Sequence, residues 1–482
     1  MFIKVFLSLL IFAGLAFGVS FEYISKQPRS IEKDFYIYLY LQKNPSLVEA
    51  RKLFSQVKRF NGKLKKSFKS YGLESKKAKS KFVKPKMSED FNSMVALPPQ
   101  KFLEIFNQLS SWHIKKYLNH PISKVYMQKL SFYEGFDKFA SKILAIKNST
   151  SLKSSLNLVK SSVTKSETSF YLALLNLKNG NKDIAIYYLK QARIKSVSRF
   201  KKDRATFWLY LVSKDKSYLK KVASSYEANI YSLYACEAQG IMLKNIVSKL
   251  ETSKKEILFN YQDPFDWIRT KAKLKGKKAS YIKKTLNAYE SMPHLAYLLD
   301  GDLNNYFIFP YYTYISGYSK KRQALMLAIA RQESRFIPTA VSPSFALGIM
   351  QFMPFLAKYT AKKLGMSDFR YTDMFNPKTA YLFANDHLDF LEKHLFHPLL
   401  VAYAYNSGIG YTKRDIIQSN KYFKSGEYEP WLSMELITPQ EPMHYAKKVL
   451  ANYVIYSNLL GLNLTLTHEL ERLKLFRHNH DF

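Results

Sequence analysis

Along most of the chain apolar side chains return every three or four positions, the period of helices that bury one face, while strand-type alternation is rare. The pattern is sharpest from Thr168 to Ser196. Phe170, Leu172, Leu175 and Leu177 mark one helix, Asn179-Gly180-Asn181 marks a turn, and Ala185, Tyr188 and Leu189 mark a second helix. Arg204 to Lys214 and Tyr218 to Tyr226 read as the next pair, a tetratricopeptide-like layout without a strict period. Further on, helix boundaries are set by proline and glycine. Pro354 opens a helix that Gly365 closes, and Asn376 caps one opened by Pro377 that reaches about Leu395. Pro398 opens another, ending at the Gly408 turn, and Pro442 opens the last, carrying Tyr445, Val449, Leu450 and Tyr453. Five or so helices around a cleft, with room for a short hairpin, are expected there. The stretch from Lys58 to Lys86 is strongly basic and poor in large apolar residues, which predicts an exposed segment.

The pattern from Lys320 to Phe336 brings in chemistry. Leu325, Ala328, Ile329 and Phe336 share one helical face, and Glu333, four residues after Ile329, projects from the same stripe. Pro338 is expected to end this helix. Burial disfavours a carboxylate, and so does the negative end of a helix dipole, so both favour a protonated acid. The competing reading is a solvated Glu333 paired with Arg331 or Arg335.

Around Glu333 the sequence resembles a known family. Ala330-Arg331-Gln332-Glu333-Ser334, then Ser342-Pro343, then Ala346-Leu347-Gly348-Ile349-Met350-Gln351-Phe352-Met353-Pro354, is similar to the signature of soluble lytic murein transglycosylases. Two further blocks follow in order. Ala404-Tyr405-Asn406-Ser407-Gly408-Ile409-Gly410 matches an Ala-Tyr-Asn with a Gly-x-Gly turn. Glu435-Leu436-Ile437-Thr438-Pro439-Gln440-Glu441 with Tyr445 matches the last block. The resemblance implies that Glu333 is the catalytic acid/base. It places Ser342, Met350, Gln351, Met353, Tyr405, Asn406, Glu441 and Tyr445 against the sugar, with no metal and no cofactor. Read without the family, Met350 and Met353 are core fillers, Gln351 is a solvated loop amide and Tyr405 is a packed tyrosine. Phe345 stands where the family has a Gly, and Met443 where it commonly has an Arg. The fold implied is all-α: a long α-helical superhelix over 21–305, with a linker boundary near 230, then a lysozyme-like domain over 306–482.

The chemistry implied needs one carboxyl group. Ordinary glycosidases use two; here the substrate supplies the nucleophile. Glu333 protonates the oxygen leaving the muramyl anomeric carbon, then takes the proton of the same sugar's C6 hydroxyl as it attacks, leaving a 1,6-anhydromuramyl end. Two rivals stay open: hydrolysis in the manner of goose-type lysozymes, and a non-catalytic helical scaffold that binds peptidoglycan or cell-envelope proteins.

Composition changes the picture in three places. Residues 1–20 read as a secretory signal, with Lys4 before an apolar run from Val5 to Phe17, which points to a periplasmic protein with no stable membrane insertion after cleavage. Cys236 is the one cysteine, which excludes an intramolecular disulfide. Seventy-five Lys and Arg against 37 Asp and Glu give a formal charge of +38. The lysines are scattered without a recognition helix or zinc pattern, so peptidoglycan glycan strands, and not nucleic acid, are the expected anionic partner. A general lysine bias in the source accounts for the same excess.

Overall fold

The computed structural model describes residues 19–74, 90–159, 164–253, 257–300, 303–419 and 421–475. Of the expected secretory signal over residues 1–20, residues 1–18 lie outside these. The described chain is mostly helical; its strands are a two-residue parallel pair, Ile246–Val247 beside Asn305–Tyr306. Among the described residues no helix is long and apolar enough to cross a membrane.

The hairpin expected after Thr168 forms as Ser166–Lys178 and Lys182–Ile194. Gly180 turns the chain at φ 79°, a conformation that glycine adopts without strain. Phe170, Leu172, Leu175, Ala185 and Leu189 are buried between the two helices and their neighbours. Arg199–Ser213, Lys216–Ala223 and Ile230–Glu237 continue the stack, each burying one face on the helix before it. Phe259, Trp267, Leu274, Ile282, Leu286, Leu295 and Leu299 then form a small core of their own, to which the later part of the chain contributes Ile337.

The helix that carries Glu333 runs Lys320–Ser334 and packs along Gln440–Leu459, which also receives Pro398–Ser407. Leu325, Ala328 and Ile329 are buried, as are all the residues from Gln323 to Ala330, and Phe336 is buried beyond the helix end. Proline and asparagine set the other boundaries as read: Pro354–Lys363 before Gly365 at φ 72°, Pro377–His394 capped by the Asn376 side chain, and Pro398–Ser407 stopped at Gly408.

Three expectations need correction. The Lys320 helix ends four residues before Pro338, because Arg335 and Phe336 take left-handed conformations at φ 53° and 64° and reverse the chain. The last long helix begins at Gln440, two residues before Pro442. Within the basic stretch, Gly62–Lys69 is a helix with Leu64 and Phe68 fully buried, the lysines lying around an apolar i, i+4 pair; residues 75–89 lie outside the described part.

The N-terminal helices do not stand apart from the rest. Ile31–Leu41 lays Phe35 against Phe375 and Tyr36 against Phe265, with ring centroids 6.5 and 5.1 Å apart. One continuous hydrophobic core therefore runs from Ile24 to Leu473.

Candidate active site

Glu333 sits in the last turn of its helix, partly exposed, with a loop folded over the helix end. The loop is tied by its own backbone. Leu347 and Phe352 exchange hydrogen bonds of 2.9 and 3.0 Å, Gly348 N donates to Ala340 O, and Val341 bridges Leu347. This is the short hairpin for which the helix pattern left room. The Ser334 hydroxyl donates to Ile349 O at 2.8 Å and fastens the loop to the helix one residue beyond the acid.

Gly348 is required where it stands. It lies at φ 74°, and a Cβ there would come 2.1 Å from the Met374 carbonyl oxygen. Gly348→Ala is expected to cost about 2–3 kcal/mol of stability, from strain and the forced backbone shift. Urea unfolding checks it: a parent-like midpoint would mean the loop moves aside freely.

Tyr445, from Gln440–Leu459, donates its hydroxyl to Glu333 Oε1 at 2.6 Å. The Glu333 pKa is raised to about 7, chiefly by burial; the Tyr445 hydrogen bond opposes the shift and the charge of Glu441 adds to it. The helix C-terminus acts in the same direction as burial. Neither arginine neutralises the acid. Arg331 gives Nε to Tyr306 O and Nη1 to Asn452 Oδ1, with its guanidinium 4.0 Å from the Phe307 ring centre, while Arg335 pairs with Asp300. The reading of Glu333 as a surface ion-pair partner therefore fails.

The other singled-out residues divide into groups. Tyr445, Glu441 and Tyr405 converge on Glu333. Tyr405 is close enough for its own ionisation to be opposed by burial and by Glu333, and its hydroxyl donates to Met350 O at 2.8 Å. Glu441 is exposed in the first turn of the Tyr445 helix. Ser342 and Gln351 serve the loop itself. The Ser342 hydroxyl accepts from Ala346 N at 2.9 Å, and the Gln351 amide donates to Ala340 O and Gly348 O, so it is not a free solvated amide. Met353 is partly exposed at the loop's end, and Asn406 Oδ1 accepts from Ser407. Met350 needs correction as a sugar contact: its side chain is fully buried, and only its carbonyl reaches the site's network. Met443, the second departure from the family pattern, is likewise core.

Sequence reading missed the role of Glu435. It lies wholly buried, accepting from Tyr231 Oη at 2.5 Å and Lys447 Nζ at 2.8 Å, with Arg204 Nη1 at 3.7 Å. Arg204 also donates to Glu167 Oε1 at 2.5 Å. Lys201 Nζ also lies 3.4 Å from Glu167 Oε1 at the edge of the cluster, and these ion pairs together clamp the helix stack onto the part of the chain that holds Glu333. Among the described residues, no group of three or more His, Cys, Asp or Glu is arranged to hold a metal ion.

Comparison with known proteins now bears on this geometry. The family profile described as "Transglycosylase SLT domain" matches residues 313–427, which hold Glu333, the loop and Tyr405. Residues 313–427 are similar to the transglycosylase SLT domain family. The chain is similar to the soluble lytic murein transglycosylase of Salmonella typhimurium, 30% identical over 151 residues, 31% of this chain and 23% of the relative. It is 40% identical over 83 residues to a putative soluble lytic murein transglycosylase of Haemophilus influenzae, 17% of this chain and 14% of that protein. The matches thus span less than a quarter of these relatives' length. Around the SLT domain the likeness is one of fold. An inactive mutant of the lytic transglycosylase Slt from Pseudomonas aeruginosa superposes with a TM-score of 0.51 at 16% identity, covering 97% of this chain and 77% of that one. The all-α plan of a helical superhelix followed by a lysozyme-like domain is the plan of this chain.

Proposed function

We propose that this protein is a peptidoglycan lytic transglycosylase acting in the periplasm on cell-wall glycan strands, with residues 21–305 as superhelix and linker and 306–482 as the catalytic domain. The observation that carries the reading is a partly buried carboxyl group at the end of a helix in the SLT-like region, its pKa raised to about 7 and no cation among the described residues paired to it. A group poised near the operating pH is suited to give a proton and take one back.

The supporting geometry divides the work between the two oxygens of Glu333. Oε1 accepts from Tyr445, which leaves Oε2 to carry the exchangeable proton. That proton goes to the glycosidic oxygen between MurNAc and GlcNAc as the bond to the anomeric carbon breaks. The carboxylate so formed takes the proton of the muramyl C6 hydroxyl while that oxygen bonds the anomeric carbon. No water is consumed, and Glu333 ends protonated as it began. Tyr445 holds the carboxyl group still through both steps and stabilises its charged form between them.

Mass spectrometry of digested sacculi separates this from hydrolysis. The expected products carry 1,6-anhydromuramyl ends, one water lighter than reducing ends. Reducing termini alone would overturn the proposal in favour of a muramidase.

A further inference from the structure

Phe345 is the departure from the family pattern that the reaction does not use. It stands in the catalytic loop at φ 68°, a left-handed conformation that is strained for a bulky side chain and free for the glycine usual there. Yet the residue is 1% exposed. Its ring lies 5.5 Å from Phe35 and 5.6 Å from Tyr38, both on the Ile31–Leu41 helix. Lys63, from Gly62–Lys69, stands 6.0 Å from the same ring and 5.8 Å from Tyr38. Two residues before Phe345, the Pro343 carbonyl accepts from Asn61 Nδ2 at 3.0 Å, and Asn61 is the residue that caps the Lys63 helix. A strained aromatic residue, a backbone hydrogen bond and a cation thus meet at one turn, more than 280 residues along the chain from the helices that hold it.

The far side of the same loop closes on the acid. Ile349 O is bound by Ser334 and Met350 O by Tyr405. We infer that Phe345 is a positioning residue: the N-terminal helix pair grips the catalytic loop through it, and that grip keeps water from Glu333. The strain at Phe345 is held by the aromatic contacts, as strain near active sites generally needs surrounding structure to over-determine it. Glycine at this position would leave the loop's conformation allowed but unanchored. The inference rests on Glu333 being the acid of the proposed reaction, but its physical content is a coupling between two distant segments.

The groups that act on Glu333 are Tyr445 and Glu441 from one helix and Tyr405 from another; none is altered by the test. Full-length protein with ¹³C-labelled glutamate carboxyls reports the Glu333 midpoint directly, assigned by its absence in Glu333→Gln. Phe345→Gly is expected to lower that midpoint by about one pH unit, as water reaches the carboxylate. It should also reduce kcat about tenfold with KM within twofold. Asn61→Ala, which removes the hydrogen bond to Pro343 O together with the helix cap on Leu64 N, should move both in the same direction by less. Phe345→Tyr, which keeps the ring, should restore parent values. An unchanged midpoint in Phe345→Gly overturns the inference, as does an unchanged midpoint in Asn61→Ala should Phe345→Gly not fold. A shifted midpoint in a protein that releases no anhydro ends supports the coupling while removing the proposed reaction.

Discussion

Glu333→Gln is expected to lower kcat/KM on glycan strands by about a thousandfold or more, the span a positioned general acid and base contributes. Gln can accept the Tyr445 hydrogen bond that reaches Oε1 at 2.6 Å, so the fold keeps its contacts while the proton is lost. Zymography on cell-wall gels reads the result: clearing equal to the parent's would remove Glu333 from the reaction. The parent's activity should fall as pH rises through about 7, where the buried acid loses its proton. Stability should show the same group with a definite sign. The folded pKa lies above the ordinary value of 4.5, so between pH 4.5 and about 7 the folded state binds more protons than the unfolded. Stability is therefore lost as pH rises through that window. Glu333→Gln removes this loss. Its stability relative to the parent should grow by about 1–3 kcal/mol from pH 5 to pH 8, less than the full shift allows because the group is partly exposed. A pH-independent difference between the two proteins would show that Glu333 titrates normally.

Arg204→Ala is expected to destabilise the protein by about 3–5 kcal/mol, because it leaves Glu167 and Glu435 buried with one cation fewer. The guanidinium is 1% exposed, pairs with Glu167 at 2.5 Å and lies 3.9 Å from the Phe170 ring centre. Lys447 cannot make up the loss; burial already pulls its pKa down to about 8, against the pull of Glu435. Replacing the charge also removes packing, so Arg204→Met, which keeps the stem, should recover part of the deficit. Thermal unfolding of both variants tests the assignment. A change under about 1 kcal/mol for Arg204→Ala would mean that water enters and the cluster is only a surface network.

What could be read beforehand follows the range of the interactions involved. Glu333 was legible because helical period, dipole and motif all act within a few residues of it, and proline or asparagine announced the Pro354, Pro377 and Pro398 helices for the same reason. The ends missed were those decided by tertiary contact. Gln440 opens its helix early because its side chain reaches Tyr171 and Ser141 in the helix stack. Gly62–Lys69 was obscured by its lysines, although Leu64 and Phe68 carry the helical spacing. Glu435 was legible as part of a motif but not as a structural ion, since its partner Tyr231 is 204 residues away. No local pattern encodes such a distance. Met350 shows the converse error, a residue in a motif whose side chain the core claims.

The clamp at Glu435 bears on any attempt to make the catalytic lobe portable. Trp431 leans on Phe207, Tyr231 and Tyr234, with ring centroids 4.4 to 5.9 Å apart. A fragment starting at residue 306 would keep Glu435 and Lys447, forfeit Arg204 and Tyr231, and turn an indole to solvent. Such a piece would keep one acid and one base of the clamp but open both to water, along with apolar surface that the whole protein covers. The helix stack is thus a missing wall of the lobe as much as a neighbour to it.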